Sequence, residues 1–135
     1  MGPIALTQFD FDRLERLADR LRTRDRHPTV ARALEQELDR AEIVDPRRIP
    51  ADVVTMNSQV TVCDLATGEV ESLRVVFPGS AAPRRGAISV VAPLGLALLG
   101  ARAGDEVSCE VPGHTRRLRV ENVTYQPEAA GRFDL

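Results

Sequence analysis

Apolar residues recur at helical spacing only in the first third of the chain. Phe11, Leu14, Ala18 and Leu21 follow a 3-4-3 spacing, and after a polar interruption Ala31, Leu34, Leu38 and Ala41 repeat it. Thr7 stands three residues before Asp10, an aspartate variant of the capping box, and marks the start of the first helix. Pro28 suits the first turn of the second. The pattern predicts a short antiparallel helical hairpin, a coiled coil of residues 7–23 and 29–41, with arms roughly 25 and 20 Å long. Its tip is RTRDRHPT, residues 22–29.

Beyond IVDPRRIP (43–50) the helical period is lost and β-type patterning begins, so the expected division is a hairpin of residues 1–45 and a second domain of residues 46–135. Residues 53–64 and 69–77 predict two strands around LATG, where Gly68 supplies the turn. AISVVA (87–92) predicts a strand, PLGLALLG (93–100) one or two helical turns between Pro93 and Gly100, and DEVSCEV (105–111) another strand. PGH then turns the chain into a last strand ending near Tyr125. In that strand the apolar phase slips from Leu118 and Val120 to Val123 and Tyr125, which predicts a bulge near Glu121 or Asn122. The fold class expected is α+β, with a mostly antiparallel sheet crossed by one short helix.

At 135 residues and 43% hydrophobic, the chain has enough apolar side chain for a core. Its formal charge of −2 excludes a global electrostatic affinity for nucleic acid or anionic lipid, so any basic site is local. No run approaches the roughly 20 apolar residues of a membrane span, and MGPIALT fails as an acylation motif because Pro3 and Leu6 occupy positions that need other residues. The expected setting is the cytoplasm, with Cys63 and Cys109 reduced. Cys109 shares a strand face with Val107 and Val111 and reads as core, whereas Cys63 fits either face. His27 and His114 fall in expected turns. A metal site of Cys63, Cys109 and His114 supplies only three scattered ligands, so surface histidines are the simpler reading and no cofactor is expected.

Three stretches are more specific: LDRAEIVDPRRIPADVVTMNSQV, ISVVAPLGLALLGARAGDEV and the ending YQPEAAGRFDL. Together they resemble the Rnk-type regulators of nucleoside diphosphate kinase, within the wider Gre factor family, from about Thr7 to Leu135. The resemblance implies an FKBP-like second domain, a bacterial cytoplasmic protein, and RNA polymerase as partner, with no membrane and no sequence-specific nucleic acid. It implies docking at the rim of the polymerase secondary channel through Ala92, Pro93 and Leu94, with Ala92 standing where many relatives carry serine. Within PLGLALLG, Leu96 and Leu99 are expected mostly buried. The link to nucleoside diphosphate kinase is open between direct binding and altered transcription.

Gre factors that stimulate transcript cleavage present two acidic residues at the hairpin tip, because two carboxylates help hold a second Mg²⁺ and activate water. RTRDRHPT offers only Asp25, flanked by Arg22, Arg24 and Arg26, cations that compete with Mg²⁺ for its charge. The expectation is a non-enzymatic regulator that competes with Gre-type factors, with Arg22, Arg24, Asp25 and Arg26 as polymerase contacts. A solvated turn is the simpler alternative for the tip. Two other functions compete: a cleavage factor using Asp25, and a prolyl isomerase, which rests on the FKBP-like fold alone and lacks a set of pocket aromatics. For YQPEAAGRFDL, ordinary packing at the end of the sheet is favoured over a contact role.

Overall fold

The structure is a computed structural model that describes residues 4–135. Met1, Gly2 and Pro3, on which part of the acylation reading rests, lie outside the described residues. Helix α1 spans Gln8–Thr23 and starts at Thr7, whose hydroxyl accepts the Asp10 N–H at 3.0 Å. Asp10 does not return the bond as a capping box would. Its carboxylate turns instead to Arg13, at 2.5 Å. Helix α2 spans Pro28–Asp39, and its buried Ala31, Leu34 and Leu38 share one core cluster with Leu14, Leu17, Ala18 and Leu21 of α1.

The base of the hairpin is closed by a feature the apolar pattern did not announce. Strand β1, Ala5–Leu6, pairs in parallel with β2, Glu42–Ile43, so the entry to α1 and the exit from α2 are hydrogen-bonded together. Two-residue strands carry no periodic signal.

The second half forms five strands: β3 (Gln59–Asp64), β4 (Val70–Val76), β5 (Ala87–Ser89), β6 (Glu106–Val111) and β7 (His114–Tyr125), in the order β5-β4-β3-β7-β6. Helix α3, Pro93–Leu98, lies between β5 and β6 in the chain. The expected FKBP-like antiparallel sheet is corrected here. The sheet is mixed, because β5 runs parallel to β4, with Arg74, Val75 and Val76 paired to Ala87, Ile88 and Ser89. Residues 77–86 make this possible. Two 3₁₀ turns, Pro78–Ser80 and Pro83–Arg85, fold the connection back so that the chain re-enters beside β4 in the same direction instead of reversing through a tight hairpin.

Two further expectations change. The strand read over 53–64 begins only at Gln59, because Asn57 takes a left-handed φ of 66° and the Ser58 hydroxyl accepts the Thr55 N–H, making residues 55–58 a turn. The phase slip in β7 is two bulges: pairing with β3 skips Glu121 between Val120 and Asn122, and skips Thr124 between Val123 and Tyr125. The second lies at the strand end, where there is too little sequence left to show a phase.

The core runs without a break from the hairpin into the sheet, through Leu6, Met56, Val60, Val75, Leu98 and Leu118. Gly100, at φ 83°, sits against Ile4, where a Cβ would come within 2.3 Å of its side chain. That approach ties the end of α3 to the hairpin base.

Candidate functional site

The tip is a tight reversal. The N–H groups of Arg24 and Asp25 bond to the Arg20 carbonyl and that of His27 to the Leu21 carbonyl, with Arg26 in the left-handed region at φ 55°. Side chains from 22 to 29 are exposed. Asp25 faces Arg20, at 3.7 Å, rather than Arg22, Arg24 or Arg26. Arg22 turns away from the tip and braces the two helices, pairing with Glu35 on α2 and with Asp19 at 2.7 Å. Arg24 and Arg26 have no ion pair among the described residues and present free guanidinium groups. One carboxylate therefore stands at the tip, already facing a cation.

The stretch read as a docking region is held by close packing. Gly95 of α3 lies against the backbone of β5, where a Cβ would come within 2.0 Å of the Ser89 carbonyl oxygen. Only glycine permits that approach, and it fixes where Pro93 and Leu94 point. Pro93 is exposed, and Ala92 and Leu94 are half-buried. Ala92 is the N-cap of α3 and offers no side-chain acceptor, so the first turn lacks the bond that a serine there would supply. Leu98 and Leu99 are the buried leucines of this segment, and Leu96, expected to be mostly buried, is half-buried.

The thiols are free. Cys109 is buried in β6, and burial pushes its thiol above the usual range. Cys63 is half-buried on β3, and both histidines are exposed: His27 lies at the tip, just before α2, whereas His114, expected in a turn, is the first residue of β7 and pairs with Val111. No cluster of three or more metal-ligating side chains occurs among the described residues.

Sequence reasoning missed a second set of residues, at the base of the hairpin. Arg13 lies between the rings of Phe9 and Phe77, 4.1 and 4.6 Å from their centroids, and donates to Asp10 and, at 2.8 Å, to the Leu135 carbonyl. Glu128 accepts from the Thr55 hydroxyl at 2.6 Å, and the Gln126 amide donates to the carbonyls of Pro50 and Val53, each at 2.8 Å. The stretches VTMNS and YQPEAAG, each specific in sequence, thus meet in space. Asp10 is fully buried, and its pKa is raised from 3.8 to about 6, first by burial, with Arg13 opposing and Glu128 adding to the rise. The one available signal was the pair of unusual polar motifs at positions where a strand start and a frayed end were expected.

Residues 49–125 match the family model for the C-terminal part of the transcription elongation factors GreA and GreB, and residues 3–44 match the model of the Rnk N-terminus. The chain belongs to the GreA/GreB family. It is 46% identical over 105 residues to the regulator of nucleoside diphosphate kinase of Escherichia coli K12, covering 77% of each. Among solved structures, a GreA/GreB elongation factor of Nitrosomonas europaea superimposes with a TM-score of 0.77 at 39% identity, over 93% of this chain and all of that one. GreA factor homolog 1 of Thermus thermophilus superimposes with a TM-score of 0.51 at 27% identity, over 90% of this chain and 99% of that one. These likenesses place the fold with GreA, GreB and their homologues and not with FKBP-like domains, which removes the basis of the isomerase reading. No helix among the described residues is long and apolar enough to cross a membrane.

Proposed function

We propose that this chain is a non-enzymatic transcription regulator that occupies the secondary channel of RNA polymerase without stimulating transcript cleavage, and so competes with cleavage-stimulating Gre factors. The observation that carries this reading is the tip: a member of the GreA/GreB family whose hairpin ends in one carboxylate, Asp25, facing Arg20 at 3.7 Å. A single, cation-paired carboxylate is a poor ligand for a second Mg²⁺.

In this reading Ala92, Pro93 and Leu94 contact the channel rim, an assignment supported by the exposure of Pro93 and the fixed geometry at Gly95. Arg24, Asp25 and Arg26 contact polymerase from the tip, and Arg22 contributes by holding α1 to α2. The seam between the two family models supports a division into residues 1–45 and 46–135. The setting is the cytoplasm, where polymerase is, and the name of the Escherichia coli relative suggests a link to nucleoside diphosphate kinase.

The test is transcript shortening in a stalled, backtracked complex, with this protein alone and in competition with a Gre factor. The reading expects no shortening from this protein and a dose-dependent block of the shortening stimulated by the Gre factor. Replacing Pro93 and Leu94 together with charged residues should abolish the block while the domain stays folded.

A further inference from the structure

The two helices pack densely on one another, whereas their contacts with the strands are sparse. An apolar core joins the hairpin to the sheet, but polar side-chain contacts between them are few among the described residues. They lie where Arg13 of α1 meets Phe77, just after β4, and Leu135, in the chain after β7, with Asp10 beside Met56 and Glu128. Among the described residues, the buried side-chain polar atoms without a partner are Asp10 Oδ2, Arg13 Nε and Gln126 Oε1, all at or beside this junction. Each such atom in a folded protein calls for an explanation, because leaving it unpaired costs desolvation energy.

We propose that Asp10, Arg13, Thr55 and Glu128 are positioning residues: they clamp the helical hairpin at one angle to the sheet, so that the tip and the Pro93–Leu94 surface can engage a partner together. This rests on the proposed function for its purpose, but its geometry does not. Each member has a distinct task. Arg13 is a planar plug: its guanidinium is held between Phe9 of the hairpin and Phe77 of the sheet, with Asp10 fixing its rotation and the Leu135 carbonyl taking a second N–H. Glu128 and Thr55 fasten the chain after β7, whose Leu135 carbonyl receives Arg13, to the turn before β3. The lever is long. With α1 at about 24 Å, a 10° error at the base displaces the tip by about 4 Å, more than the tolerance of a hydrogen bond. A tip that acts by contact needs a rigid base.

The geometry is read by residual dipolar couplings of backbone amides in α1–α2 and in β3–β7, which report the relative orientation of the two halves in the intact chain. In the parent protein both sets should fit one alignment tensor. In Arg13→Ala the hairpin set should fit a smaller tensor of its own. Because that variant can lose its fold, Glu128→Ala and Glu128→Gln form a second arm. Alanine removes the acceptor for Thr55 and should uncouple the halves, while glutamine keeps a carbonyl acceptor and should restore the single tensor. The same variants are then scored for competition with a Gre factor on polymerase, where uncoupling should weaken competition about five- to tenfold and Glu128→Gln should recover it. A single shared tensor in Glu128→Ala overturns the clamp. So does an uncoupled hairpin that competes as well as the parent. If the parent itself fails to compete while the tensors behave as described, the clamp stands and the polymerase reading fails.

Discussion

The two ends of the hairpin use arginine in opposite ways. At the tip, Arg20, Arg22, Arg24 and Arg26 are exposed, and the ion pairs present there are open to water. Such pairs contribute about 1 kcal/mol or less and are weakened by salt. At the base, Arg13 is mostly buried between two rings beside a fully buried Asp10. A buried pair of that kind is costly to break, because removing one partner strands the other's charge. The tip can therefore change its chemistry with little effect on folding, and the base cannot.

The largest expected effect comes from breaking the base. Arg13→Ala should destabilise the protein by about 3–5 kcal/mol in chemical denaturation, because it leaves the buried Asp10 carboxyl without its hydrogen-bond donor and opens the space between Phe9 and Phe77. The corresponding change at the tip, Arg24→Ala, should be within about 0.5 kcal/mol of the parent. Equal losses at the two ends would remove the contrast.

Next in size is the pH dependence of the base. The pKa of Asp10 is about 6 in the folded protein against an ordinary value of 3.8. Between those values the folded state holds a proton that the unfolded chain has released. The stabilisation is therefore fully present below pH 4 and lost as pH rises through 6, with a span of about 3 kcal/mol. Asp10→Asn keeps the neutral form at every pH. The stability of this variant minus that of the parent should rise between pH 4 and pH 7 and then level off. A difference independent of pH would place the Asp10 carboxyl near its ordinary value and count against the charge assignment.

The helices were legible in the sequence because their signal is local: a 3-4-3 stripe needs only its own segment, and Leu14, Ala18, Leu21, Ala31, Leu34 and Leu38 are buried. The phase slip in β7 was legible for the same reason. What escaped is non-local. The parallel placement of β5 depends on how residues 77–86 fold back, and the β1–β2 pair on two residues meeting two others across the hairpin. The base escaped most completely, since Asp10, Thr55 and Glu128 lie far apart in the chain and each has an innocent local reading as cap, strand or tail. At the candidate site, the single carboxylate of the tip could be read directly, but the choice of Arg20 as its neighbour, and the loss of Arg22 to Glu35, needed the helix faces.

Smaller effects sharpen the comparison at the docking surface. Gly95→Ala should cost about 1–3 kcal/mol, because its Cβ meets the Ser89 carbonyl and α3 must shift, and it should weaken polymerase competition more than its stability loss explains. Ala92→Ser should stabilise by about 0.5–1 kcal/mol by capping α3, readable as a small rise in the denaturation midpoint. No gain from Ala92→Ser would mean that the first N–H groups of α3 are already satisfied by solvent.

The most direct test of the account is the cleavage assay on a backtracked polymerase complex with this protein and its Asp25→Ala variant. The account predicts full-length transcript in both cases, with Gre-stimulated shortening suppressed by either protein. Shortening that requires the added protein and disappears with Asp25→Ala would contradict it.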